Sequence, residues 1–167
     1  AKSIIEKIKY LPLERRQEFV DELVSQIGLQ LPATLMLTRG QLLELVERGV
    51  TIGAHTHRHP ILTSVSDEEA REEIVLGKKL LEQRTGRGID LFAYPNGRPN
   101  RDYSQKHVAM AAAAGFRAAC STTPGTLGRK DDVYQIPRIG PWAESARSFV
   151  LRLLRTYGQS PNGLVAR

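Results

Sequence analysis

The sequence predicts an α/β fold, a parallel sheet or barrel built from repeated strand–helix units. Three observations carry this. Short apolar runs alternate with longer amphipathic segments, helix-capping pairs open several of those segments, and Gly or Pro punctuates almost every junction. Three of the four histidines, His55, His57 and His59, follow one of the apolar runs at alternate positions. The C-terminal end of a strand is a common place for active-site side chains in such folds.

The elements follow in order. Lys2 to Ile27 reads as helical, with Pro12 opening a second helix where its missing N–H is tolerated. Phe19, Val20, Leu23, Val24 and Ile27 form an apolar stripe at helical spacing, and Gly28 ends it. Residues 29–37 form a connector around Pro32. Thr38 and Gln41 make a capping box for a helix through Arg48, with Leu42, Leu43, Leu45 and Val46 on its buried side. A strand is expected over Val50–Ala54, leading into the histidine loop. Ser66 and Glu69 form a second capping box for a long helix to Arg84, with Ile74, Leu80 and Leu81 inward.

Ile89 to Tyr94 reads as a buried strand ending in the turn Pro95-Asn96-Gly97. Asp102 or Ser104 caps a helix through Ala114, on which His107 is expected to be exposed. Phe116–Cys120 and Val133–Ile139 are two further strands, and a last helix spans Glu144 to Tyr157 before a frayed tail. The domain division that results is a helical segment over 1–37, the α/β body over 38–157 and a tail over 158–167. Only about four strands can be found, too few for a closed barrel.

Composition narrows the function classes. Hydrophobic content of 41% and charged content of 25% are those of an ordinary globular protein. No apolar stretch is long enough for a membrane span. The single Cys120 excludes an internal disulfide and a cysteine-based zinc cluster, and reads as a small core residue. The net charge of +6 is spread through the chain as dispersed arginines, with no basic block and 6% aromatic residues, which argues against nucleic acid. The opening residues, Ala1-Lys2-Ser3-Ile4-Ile5-Glu6, carry no secretory signal pattern.

Histidine is the commonest protein ligand for zinc and similar metals, and it binds through either ring nitrogen. In an extended segment all three histidines share a side; in a helix His55 and His59 do and His57 does not. Either geometry lets His55 and His59 converge on one ion. A solvated or backbone-bonded cluster is the plainer alternative.

The flanks of the cluster resemble a known family. Ile52-Gly53-Ala54-His55-Thr56-His57-Arg58-His59-Pro60-Ile61-Leu62 is similar to the His-(Ser or Thr)-x-x-His motif of the polysaccharide deacetylases, the NodB-homology domain. Phe92-Ala93-Tyr94-Pro95-Asn96-Gly97 resembles the motif that forms one wall of that family's substrate groove, and Ala114-Gly115-Phe116 its helix-to-strand junction. The resemblance covers about Thr38 to Gly140. It implies a deformed (β/α) barrel and metal-dependent removal of acetyl groups from an N-acetylated polysaccharide. A divalent metal, commonly zinc, is the implied cofactor, with His55 and His59 as two of its three protein ligands. Thr56 supports the loop, Tyr94, Pro95, Asn96 and Gly97 line the substrate groove, and the backbone N–H near Asn96 is the oxyanion donor. The cell envelope or extracellular space is the implied location.

The departures are as informative. The family's T-F-D-D-G motif, source of the third ligand and the general base, does not precede His55. The only Asp-Asp pair, Asp131-Asp132, lies in a late charged loop and reads as a solvated turn. The late Leu-x-His motif is absent. The motif with Tyr94 lacks the arginine often found two residues before the proline, where Ala93 stands; Arg138 is a candidate replacement, with a surface ion pair as its alternative role. With the strand deficit and the non-Met start, these gaps lead to the expectation of a C-terminal portion of a longer deacetylase, inactive by itself. A degenerate, non-catalytic carbohydrate-binding or interaction domain is the alternative. Metallo-β-lactamase-type and amidohydrolase chemistry also uses His-x-His but needs downstream histidines that this sequence lacks. An open sheet edge would allow a homodimer.

Overall fold

The computed structural model describes residues 2–28, 30, 32, 34–129, 131–140, 145–157, 165 and 166. Among these residues six α-helices and two short strands are regular: α1 (Lys2–Ile8), α2 (Leu13–Ile27), α3 (Arg39–Glu47), α4 (Asp67–Thr85), β1 (Leu91–Ala93), α5 (Gln105–Ala113), β2 (Ala118–Cys120) and α6 (Ala146–Thr156). The strands pair in parallel, with Leu91, Phe92 and Ala93 opposite Ala118, Ala119 and Cys120. Single parallel bridges extend this ladder on both sides, Ala54 to Phe92 and Ile136 to Cys120. Four backbone rows therefore run the same way in the order 54, 92, 119, 136. Their C-terminal ends open onto a single edge, where His55, Tyr94, Ser121 and Pro137 follow.

Two of the expected strands shrink to these bridges. Over Val50–Ala54 only Ala54 pairs, giving its N–H to Leu91 O at 2.8 Å and accepting from Ala93 N at 2.9 Å. Val50 instead closes the end of α3, donating to Leu45 O. Val133–Gln135 is a 3₁₀ turn capped by the Asp132 side chain, and only Ile136 of the predicted strand Val133–Ile139 joins the sheet. Here a local Asp cap outcompetes the β-propensity of the segment.

The helix starts follow the capping chemistry read from the sequence. Thr38 and Gln41 form both halves of a capping box, and Ser66 caps α4 through Glu69 N. Between Asp102 and Ser104 it is Ser104 that caps α5, with His107 as its reciprocal partner. His107 is thereby drawn into the core and fully buried, contrary to the exposed position expected for it. Desolvation pushes its imidazole down to about 4, so it is neutral, and its Nε2 has no partner among the described residues.

Phe92 lies in the core cluster with Leu62, Ile74 and Ala119, its ring edge to face with Tyr94 at 5.2 Å and tilted against Phe116 at 5.1 Å. Cys120 is half-buried rather than enclosed. Of the segment expected to fray, Val165 and Ala166 are described: Ala166 is buried and its N–H reaches Gln135 Oε1 at 2.6 Å. The rest of that segment, and Glu144 of the last helix, lie outside the described residues. In contrast to the sheet helices, α2 buries none of its residues; Phe19, Val20, Leu23 and Ile27 are all exposed. No helix among the described residues is long and apolar enough to cross a membrane.

Candidate metal and substrate site

Ala54, anchored on β1 by two hydrogen bonds, delivers His55 to the open edge of the sheet. The next residues fold back sharply. Thr56 and His59 both take left-handed backbone conformations, φ 62° and 59°, which side-chain-bearing residues adopt only when their surroundings enforce it. The fold-back brings the His55 and His59 rings edge to face with centroids 4.6 Å apart. His57, two residues from each, takes no part in that ring contact.

Thr56 is buried and works inside the loop. Its Oγ1 donates to His55 O at 2.6 Å and accepts from His59 N at 3.1 Å, tying together the two residues that carry the facing imidazoles. From outside, α4 holds the same loop. Glu73 Oε2 accepts from His57 N at 2.9 Å and Arg58 N at 2.7 Å, and Oε1 accepts from Arg58 Nε at 2.7 Å. Burial alone would push the Glu73 carboxyl up; the bonds from Arg58 and His57 outweigh it and hold it below the usual carboxylate value. One turn further, Gly77 lies against the loop backbone, where a Cβ would sit 2.7 Å from both C and O of Thr56. Arg16 of α2 reaches across to donate to the carbonyls of Arg58 and His59 at 3.1 and 3.3 Å.

Both imidazoles are constrained by their surroundings. His55 Nδ1–H donates to Ala93 O at 2.7 Å, which fixes the ring and its tautomer and leaves Nε2 with a lone pair. A backbone carbonyl behind a histidine is the usual outer-shell support of a metal ligand. Loss of water around the His59 ring, and then repulsion from His55, hold that imidazole below its ordinary value and favour the neutral, ligating form. These two residues fit a divalent metal as a partial ligand set. Among the described residues no group of three His, Cys, Asp or Glu side chains is placed to hold an ion.

The other predicted site residues fall into two sets. Tyr94 is fully buried, stacked on Tyr103 at 3.9 Å, with its hydroxyl donating to Tyr134 O at 2.9 Å. Desolvation raises its phenol well above the usual value. Pro95 is buried as well, so these two offer a ligand no exposed side chain. Gly97, at φ 67°, gives its N–H to Pro95 O at 2.7 Å and sits where a Cβ would meet Thr122 N at 3.0 Å. Asn96 is half-buried, with its Nδ2 enclosed. It lines a pocket of about 540 Å³ with Thr122, Pro124, Arg138, Arg152 and Thr156, and its Nδ2 has no partner among the described residues. Arg138 is thus brought beside Asn96, at the same sheet edge as the histidines.

A model of the family described as polysaccharide deacetylase matches residues 23–119, which includes the histidine loop, α4 and the Tyr94–Gly97 turn. The chain belongs to the polysaccharide deacetylase family. It is 26% identical over 103 residues to YxkH of Bacillus subtilis (strain 168), a protein named for the same family, covering 62% of this chain and 36% of that one. BC0361, a polysaccharide deacetylase from Bacillus cereus, superposes with a TM-score of 0.55 at 25% identity, over 65% of this chain and 34% of its own. The Streptococcus pyogenes deacetylase PplD, solved in complex with acetate, shares the fold with a TM-score of 0.62 at 24% identity, over 80% of this chain and 54% of its own. The chain thus spans between about a third and about half of the length of these deacetylases. That proportion accords with the four parallel rows being part of a larger barrel.

Sequence reasoning missed Glu73, Gly77 and Arg16. For the first two a signal existed: Glu73 and Gly77 share the inward face of α4 with Ala70 and Ile74, and a carboxylate on an apolar face needs a partner.

Proposed function

We propose that this chain supplies part of the active site of a metal-dependent hydrolase that removes N-acetyl groups from an N-acetylated polysaccharide. The observation that carries the reading is the His55–His59 pair, with His55 Nδ1–H on Ala93 O and the two rings in contact. His55 and His59 would hold the ion, zinc by preference for imidazole ligands. When bound, such an ion polarises an amide carbonyl and lowers the pKa of a water.

The chain's own residues then divide the remaining work. The N–H of Asn96 makes no hydrogen bond among the described residues, lies three residues beyond the end of β1, and would donate to a developing oxyanion. Asn96 and Arg138 line the pocket beside it and would orient the sugar. Thr56 keeps the two imidazoles together. Among the described residues two imidazoles meet with no third ligand beside them, short of the three protein ligands of catalytic zinc sites, so the 167-residue chain by itself is expected to be inactive.

Two measurements test this. Zinc titration of the chain, followed on the histidine ring signals by NMR, should show binding that His55→Ala and His59→Ala each abolish and His57→Ala leaves intact. Equal effects of all three substitutions would refute the ligand assignment. Incubation of the chain with zinc and an N-acetylglucosamine oligomer should release no acetate, and chelator-sensitive release would refute the inactivity.

A further inference from the structure

The histidine loop has an unusual dependence on one carboxylate. Successive N–H groups of His57 and Arg58, just after the left-handed Thr56, point at the single atom Glu73 Oε2. Consecutive N–H groups at such a backbone reversal form an anion-binding concavity. In this protein the anion is an internal one, carried by the middle of α4 and 3% exposed. The second oxygen, Oε1, takes the Arg58 guanidinium, so the charge is neutralised where it is buried.

We propose that Glu73 is a positioning residue of the metal site. Its carboxylate fills the His57–Arg58 concavity and thereby holds Thr56 in the conformation that sets the His55 and His59 rings face to edge. The inference rests on the reading of that pair as metal ligands, but its geometric part stands without it. Three observations argue for a role in placing the loop rather than in general packing. Among the described residues the Glu73 carboxylate bonds to nothing but the loop; Gly77, one turn away, lies against the same Thr56–His57 peptide; and the loop residues it fixes lie between the two imidazoles. The Thr56 hydroxyl links His55 to His59 within the loop, whereas Glu73 ties the loop to α4.

Glu73→Gln is the informative substitution. It keeps the shape and one acceptor oxygen but removes the charge, and its NH₂ faces the Arg58 Nε–H, so the second contact is lost. Zinc affinity of the full chain should fall about 10-fold in Glu73→Gln and up to about 100-fold in Glu73→Ala, the range seen for outer-shell partners of metal ligands. In the metal-free chain the amide signals of His57 and Arg58 should move and the proton–proton contact between the His55 and His59 rings should weaken or vanish. A purely structural role predicts a lower unfolding midpoint with zinc affinity and ring contact unchanged in the folded fraction, and that result would overturn the proposal. If the unsubstituted chain binds no zinc yet the ring contact is lost in Glu73→Gln, the metal reading fails while the positioning role of Glu73 stands.

Discussion

Substituting Gly77 by alanine sets two opposed and comparable effects against each other. Alanine in the interior of a helix is favoured over glycine by about 1 kcal/mol, so a free α4 would gain from the change. In this structure the added methyl would lie 2.7 Å from both C and O of Thr56 and 3.2 Å from His57 N, all backbone atoms. Ordinary contact begins near 3.4 Å, so α4 and the loop must separate by about 0.7 Å. The loop cannot yield freely, since Glu73 grips it one turn away. Overpacking of this kind costs about 1–3 kcal/mol, which outweighs the propensity gain and leaves a net loss of about 1 kcal/mol. Gly40 in α3 is the internal control: its Cβ would meet nothing nearer than Thr38 Oγ1 at 3.9 Å, so Gly40→Ala should be neutral or stabilising by up to about 1 kcal/mol. Urea unfolding of the two variants beside the parent decides the matter through the sign of each shift in midpoint. Gly77→Ala behaving like Gly40→Ala would mean that α4 and the histidine loop are not in contact.

Two further outcomes follow from the buried polar groups. His107 is neutral in the fold, down at about 4 against an ordinary value near 6.5, so the unfolded chain binds its proton first on acidification. Its contribution is fully present above about pH 6.5 and is lost progressively between there and pH 4, about 2 kcal/mol of it between pH 7 and pH 5. His107→Gln, which keeps the capping box with Ser104, should flatten that part of the stability profile in urea unfolding; an unchanged slope would contradict the burial described for the ring. Tyr94→Phe removes the bond to Tyr134 O and should cost about 1 kcal/mol of stability by thermal unfolding while leaving zinc binding at His55 and His59 unaltered.

How much could be read from the sequence depended on the range over which each feature is determined. Thr38–Gln41 and Ser66–Glu69 are local hydrogen-bonded pairs, and the helices they open begin where expected. The approach of His55 to His59 was legible as well, because the two lie four residues apart in one contiguous motif. The outer strands were not, since pairing of Val50–Ala54 depends on what Leu91 and Ala93 offer across the sheet, and only Ala54 finds partners. His107 was misplaced because its imidazole replaces the usual Gln or Glu in a capping box, which pulls the side chain toward the helix start and inward. The role of Glu73 needed the tertiary contact between α4 and the loop, although its position among Ala70, Ile74 and Gly77 marks it as a charge on an apolar face. Tyr94 and Asn96 stand two apart in the motif, yet one serves the core and the other the pocket; the left-handed backbone at Asn96, φ 57°, breaks the extended run in which both would share a side.

The N-terminal helices touch the body through polar contacts such as Arg16 on the carbonyls of Arg58 and His59 and Tyr10 on Asp102, while α2 buries nothing of its own. An element attached this way detaches at a small fraction of the global unfolding free energy. Its amides should therefore exchange with solvent long before those of β1 and α5. Each such excursion would uncap two carbonyls of the histidine loop while the grip of α4 from the other side persists. The loop would then be clamped unequally, firmly from the α4 side and loosely from the α2 side, and the opening rate of α2 would set how often its outer rim meets water.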